Sequence, residues 1–219
     1  GYVSEAMEWS PEPPPYFSGP YYLGPTHPMC ADPNAKLLPP FEAKSEFAAH
    51  IITEARGNVE VFGRYYRHME AAMLKAVKEL DAAAPNVEAR CLPVFRGEEL
   101  PTRWLYHTAR THANFYESCL IRDALLAIAD GDAMSPEERA KAQTRYDRWR
   151  AVLEDERQNT TDALSVVAQD PRIDVSNTSS GAALEPAADM LRAKQDLLEH
   201  ELNVFLPSVA DKLGLNSPR

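Results

Sequence analysis

The residues that carry chemistry in this chain sit in two places. One is a helix seam holding Glu156 at a position where an apolar side chain is expected, with Asn159 one turn on. A carboxylate on such a seam costs several kcal/mol unless it is paired and hydrogen-bonded, roughly 3–5 kcal/mol for an uncompensated buried charge. Arg110, His112 and Arg122 on the preceding helix are its candidate partners. This reads either as a polar network locking helix register or as support for a nearby site. The other place is the N-terminal stretch, where Tyr16, Phe17, Tyr21, Tyr22 and His27 stand among prolines. Aromatic faces held by a stiff backbone suit sugar rings and proline-rich partners, and they also serve to cover a hydrophobic core.

Other chemistries are poorly provided for. A di-iron bundle needs inward Glu-x-x-His pairs, and none of the six histidines has a glutamate three residues before it. His107 and His112 are five apart and so diverge by about 140° around a helix. Cys30, Cys91 and Cys119 are too widely spaced for a zinc knuckle. No phosphate loop, dinucleotide fingerprint or nucleophile elbow occurs. No metal or other cofactor is expected, and no catalytic constellation within this chain.

The elements that must position these residues follow from composition. Residues 1–40 hold ten of the eighteen prolines. Proline supplies no backbone donor and fixes φ, so this stretch reads as an extended arm. Residues 41–219 read as a helical domain. A first helix is expected from Phe41 to about Leu80, with Phe62, Tyr66, Met69, Met73, Ala76 and Leu80 on one seam. Gly57 and Gly63 mark a bend or a close crossing. Pro85 to Pro101 is expected to be a loop. A second helix, from about Thr102 to Asp130, is apolar on several sides and should be the most buried.

Ser135-Pro136-Glu137-Glu138 is a helix start: a serine cap, proline in the first turn and acids beside the dipole. The third helix should reach about Gln169, with Trp149, Leu153, Glu156, Thr160, Ala163 and Val167 as its seam. A polar loop follows, then a fourth helix from Glu185 to Phe205 that Pro207 breaks or kinks. The expected fold is all-α, a four-helix antiparallel bundle with an extended proline- and aromatic-rich arm.

A net charge of −10 argues against nucleic acid, and no apolar run is long enough for a membrane span. An odd cysteine count fits a reducing, cytoplasmic compartment, with a cleaved export signal left open.

Glu156-Arg157-Gln158-Asn159, Asp170-Pro171-Arg172 and the helix from Met190 to Phe205, ending at Pro207, together resemble a C-terminal helical region. That region belongs to large bacterial glycoside-hydrolase-like proteins built on a TIM barrel. Asn114, Tyr116 and Arg122 fit the preceding helix of that pattern, and Phe17 to Pro25 resembles the segment leaving the barrel. The resemblance implies a non-catalytic helical part or small subunit that buttresses a larger catalytic chain or domain. The arm aromatics would then lie at a carbohydrate site. The alternative is a stand-alone interaction bundle gripping a partner protein through its arm, including a subunit of a multi-subunit oxidoreductase.

Overall fold

The computed structural model describes residues 56–129, 134–170 and 186–216. The proline-rich arm, with Tyr16, Phe17, Tyr21, Tyr22 and His27, lies outside the described residues, as does the stretch from Phe41 to Ala55. The described residues are helical with no strand, so the fold is all-α. Helix α1 spans Arg56–Ala83, α2 Leu92–Ala129, α3 Pro136–Val167, α4 Ala187–His200 and α5 Leu206–Leu213. Along the chain α1 packs on α2, α2 on α3, and α3 on α4. None of these helices is long and apolar enough to cross a membrane.

The expected loop before α2 is much shorter than its prolines suggest. Two 3₁₀ turns, Ala84–Asn86 and Ala89–Cys91, suffice, and α2 begins at Leu92 and runs through Pro101. A mid-helix proline removes one hydrogen bond and crowds the carbonyl four residues back. Here that residue is Gly97, whose missing side chain faces open space, and Pro101 is itself exposed. Thr102 reinforces the turn by donating to the Glu98 carbonyl at 2.7 Å.

In its middle α2 is covered on all sides: Thr111 to Tyr116 are six consecutive buried residues. Leu105 is the exception to its apolar reading and lies exposed. Helix α1 is an outer helix, with Tyr66 and Val77 its buried side chains. It meets α2 closely at Gly63, where a Cβ would come 3.3 Å from the Cβ of Tyr116. Gly63→Val should therefore destabilise the protein by about 1–3 kcal/mol, the usual cost of overpacking. Urea denaturation checks this, and an unchanged midpoint would place the crossing elsewhere.

Helix α3 starts as its sequence indicates. The Ser135 hydroxyl accepts from the Glu138 amide, and the Glu138 carboxylate accepts from the Ser135 amide at 2.8 Å, a closed capping box. All six expected seam residues of α3 are buried. At the other end, Pro207 does not stop the helix. The turn Glu201–Phe205 widens to π geometry, with the Leu206 amide bonding the Glu201 carbonyl, and α5 carries on through Pro207. A widened turn just before proline relieves the clash that a regular turn would create. The helix finally stops at Gly214, whose φ of 61° is left-handed, while the Leu215 amide closes back on the Ala210 carbonyl at 2.8 Å.

Among the described residues the core falls into two apolar parts. The larger gathers Tyr66, Phe115, Tyr116, Tyr146, Trp149, Leu198 and Leu206, and the smaller gathers Ala163, Val167, Ala187 and Leu191 beneath Trp104. Along α3 the residues between these two parts are Glu156, Asn159 and Thr160. The candidate site is this polar belt.

Candidate functional site

Glu156 is fully buried and takes three close donors. Its Oε1 accepts from Thr111 Oγ1 at 2.6 Å and is paired with the Lys194 ammonium. Its Oε2 accepts from Asn114 Nδ2 at 2.9 Å. These donors come from α2 and α4. Asn159 Nδ2 of α3 lies farther off, at 3.4 Å, its two N–H groups serving closer acceptors, and closes the remaining side of the carboxylate. Lys194 is equally buried, and its Nζ also lies 3.3 Å from Thr111 Oγ1. Burial pulls the lysine below its ordinary range, while the adjoining Glu156 charge works in the opposite direction.

An outer layer extends the belt to α1. Asn114 also donates to Asp155 Oδ2 at 2.8 Å, and its Oδ1 accepts from Arg67 at 3.1 Å. Arg67 bridges onward to Glu117 at 2.7 Å, and Arg148 joins Glu117 from α3 at 2.9 Å. One continuous chain of polar contacts thus links Arg67 on α1, Asn114 on α2, Glu156 on α3 and Lys194 on α4.

The sequence-derived partners fall differently from expectation. Arg110 does not reach Glu156; it binds the neighbouring Asp155 through both Nε and Nη2. Burial would lower its pKa, but the Asp155 hydrogen bonds outweigh that and raise it. Burial likewise opposes Asp155, yet Arg110 and Asn114 hold its carboxyl below the usual range. Arg122 pairs with Asp123 next to it and stands outside the belt. His112 is buried with its ring 4.7 Å from that of Tyr66, in the aromatic core. Asn159 does belong to the belt, donating also to Thr111 Oγ1 at 2.9 Å and to the His107 carbonyl at 3.1 Å.

Lys194, Thr111, Asp155 and His107 were not identified as members of this network from sequence. Lys194 had a signal: it lies three residues after Leu191 and four before Leu198, on the apolar seam of α4. A lysine there opposite a seam glutamate on the preceding helix is a complementary pair.

His107 has a defined tautomer. The Asn159 amide nitrogen donates to the His107 carbonyl and to Thr111 Oγ1, so its Oδ1, 2.8 Å from His107 Nδ1, must accept. The proton therefore sits on Nδ1, and Nε2 presents a lone pair. Burial lowers the His107 pKa, against the smaller upward effects of Asn159 and Asp162. A base whose folded pKa lies below its unfolded value costs stability as pH falls from above about 6.5 to the folded pKa, because the unfolded chain takes up the proton first. The urea midpoint should fall between pH 7.5 and 5.5, and His107→Gln should flatten that slope. Equal slopes in both proteins would refute the assignment.

Elsewhere, burial pushes the Cys119 thiol up to about 12, which leaves it unreactive near neutrality. Among the described residues no three His, Cys, Asp or Glu side chains are grouped to hold a metal ion. Comparison with known proteins finds no matching family model, no curated relative and no solved structure.

Proposed function

We propose that this chain is a non-catalytic scaffold, an antiparallel four-helix bundle that holds a partner rather than turning over a substrate. The observation that carries this reading is Glu156. In an enzyme core a buried carboxylate would keep an oxygen for substrate, whereas here Thr111, Lys194 and Asn114 donate to both oxygens and the Asn159 amide closes the remaining side. Such a closed network rigidifies a core and fixes how the helices register. Rigidity and fixed register are what a platform for another chain requires.

The resemblance supplies the identity of the partner: a larger catalytic chain or domain of the glycoside-hydrolase type, with the arm aromatics at its carbohydrate site. The net charge of −10 makes nucleic acid a poor partner. Native mass spectrometry on material from the original source tests both parts. A barrel-sized companion with glycosidase activity, or a longer polypeptide containing this sequence, supports the hydrolase-associated scaffold. A lone species of 24.4 kDa that shows no tryptophan response to sugars overturns it in favour of the stand-alone interaction bundle. Turnover by the isolated chain would overturn the scaffold reading altogether.

A further inference from the structure

Away from the filled Glu156 carboxylate, a groove of about 400 Å³ opens between α2 and α3 beside Val77 of α1. Its size is that of small-molecule sites. His107, Tyr106 and Arg103 line it from α2, and Asp162 and Val166 from α3. His107 is 6% exposed, and among the described residues its Nε2 takes no hydrogen bond. Asn159 fixes the tautomer from behind, so the lone pair on Nε2 is a prepared acceptor.

The charges around the groove narrow the class of ligand. Arg103 is committed to Glu99 at 2.8 Å and to Asp81, so one cation serves two carboxylates and the trio keeps an excess negative charge. Asp162 is the remaining carboxylate. Its Oδ1 accepts from Gln158 at 2.8 Å, while its Oδ2 lies 4.0 Å from Arg110, beyond hydrogen-bond reach. Arg110 in turn is anchored on Asp155. The wall thus offers His107 Nε2 and the Asp162 carboxylate as acceptors, beside the shared Glu99 carboxylate, over a floor that includes the apolar Val77 and Val166. An anion would meet Asp162 and the excess charge of Glu99 and Asp81, and a neutral hydroxyl compound would gain less from these carboxylates than a cation.

The geometry points to a binding site for a small primary ammonium compound, its N–H groups donating to His107 Nε2 and the Asp162 carboxylate and its carbon stem lying on Val77 and Val166. Hydrogen bonds to charged groups are the stronger ones, so Asp162 carries most of the selectivity for ammonium over hydroxyl.

The test is an NMR titration of the full chain with 1,4-diaminobutane, 1,4-butanediol and inorganic phosphate. The His107 ring nitrogens are read directly, with His107→Gln giving the assignment. The diamine should shift Nε2 saturably while the diol and phosphate do not. Asp162→Asn should weaken diamine binding at least about tenfold. Ser165→Arg, which places a cation on the exposed rim, should abolish it; the amide spectrum of each variant reports that it remains folded. No saturable shift with the diamine, an equal response to the diol or phosphate, or unchanged affinity in both folded variants would overturn the proposal.

Discussion

Lys194→Met should lower the unfolding free energy by about 3–5 kcal/mol, the cost of leaving a buried charge without its partner. Lys194 and Glu156 are both inaccessible to water, so no solvent can replace the lost ammonium. Thr111 and Asn114 would still donate to the carboxylate, and they place the loss toward the lower end of that range. Methionine keeps most of the side-chain volume, so little of the effect arises from a cavity. Adding Glu156→Gln to Lys194→Met removes the stranded charge while keeping an acceptor for Thr111 and a polar group among the asparagines. The double variant should therefore recover about 1–3 kcal/mol relative to the sum of the two single changes. Urea denaturation with an unchanged slope is the measurement. Additivity within about 0.5 kcal/mol would show that the two groups act independently and that the belt does not work as a unit.

The same pair shows how far the sequence can be read. Glu156 stood out because one helix carried a carboxylate on its own apolar seam, a contradiction visible within a single element. Its partner could not be chosen that way. Arg110 and Arg122 lie on the buried α2, but which α2 residues face Glu156 depends on how two helices are rotated against each other. Thr111 and Asn114 turn out to face it, while Arg110 is turned toward Asp155. Lys194 was hidden for another reason: lysine reads as a surface residue, and only its place between Leu191 and Leu198 contradicts that.

Local signals were legible where the physics is local. The Ser135 cap needs only its own first turn to be satisfied, whereas Gly63 reads equally as a bend or a close crossing until Tyr116 of α2 is seen against it. The prolines misled for the same reason. Pro101 reads as the end of a loop and Pro207 as a break or kink, yet α2 continues past a side-chain-free Gly97 and the C-terminal helix absorbs Pro207 in a π turn. Tolerance of that kind is set by neighbours and tertiary packing rather than by the proline itself. The groove beside His107 was the least legible feature. It requires three helices to leave a gap, and it requires Asn159 to orient a ring 52 positions away.

Trp149→Ala is the second large effect, expected at about 3–5 kcal/mol. Trp149 is fully buried, its ring meets that of Phe205 edge-on at 6.0 Å, and its Nε1 donates to Ser118 Oγ at 2.8 Å. Alanine would empty the largest side chain of the main core, and that loss is a big fraction of the roughly 5–15 kcal/mol that holds a typical domain together. Trp149→Phe separates the two contributions. It keeps a ring against Phe205 and gives up the hydrogen bond, so about 1–3 kcal/mol should be lost. In the Phe variant, Ser118→Ala should add little, because the hydroxyl has already lost its donor. The consequence reaches beyond the cavity itself. Phe205 is the last residue of the π turn that carries the chain into α5, so removing the indole takes away the surface against which that turn is seated. Amide exchange in Glu201–Leu213 should then accelerate in Trp149→Ala more than in the first turns of α3, which rest on their own capping box. Equal acceleration at both ends would mean that the core unfolds only as a whole. A preferential rise in the π turn and α5 would show that the widened turn is held in place by packing on Trp149.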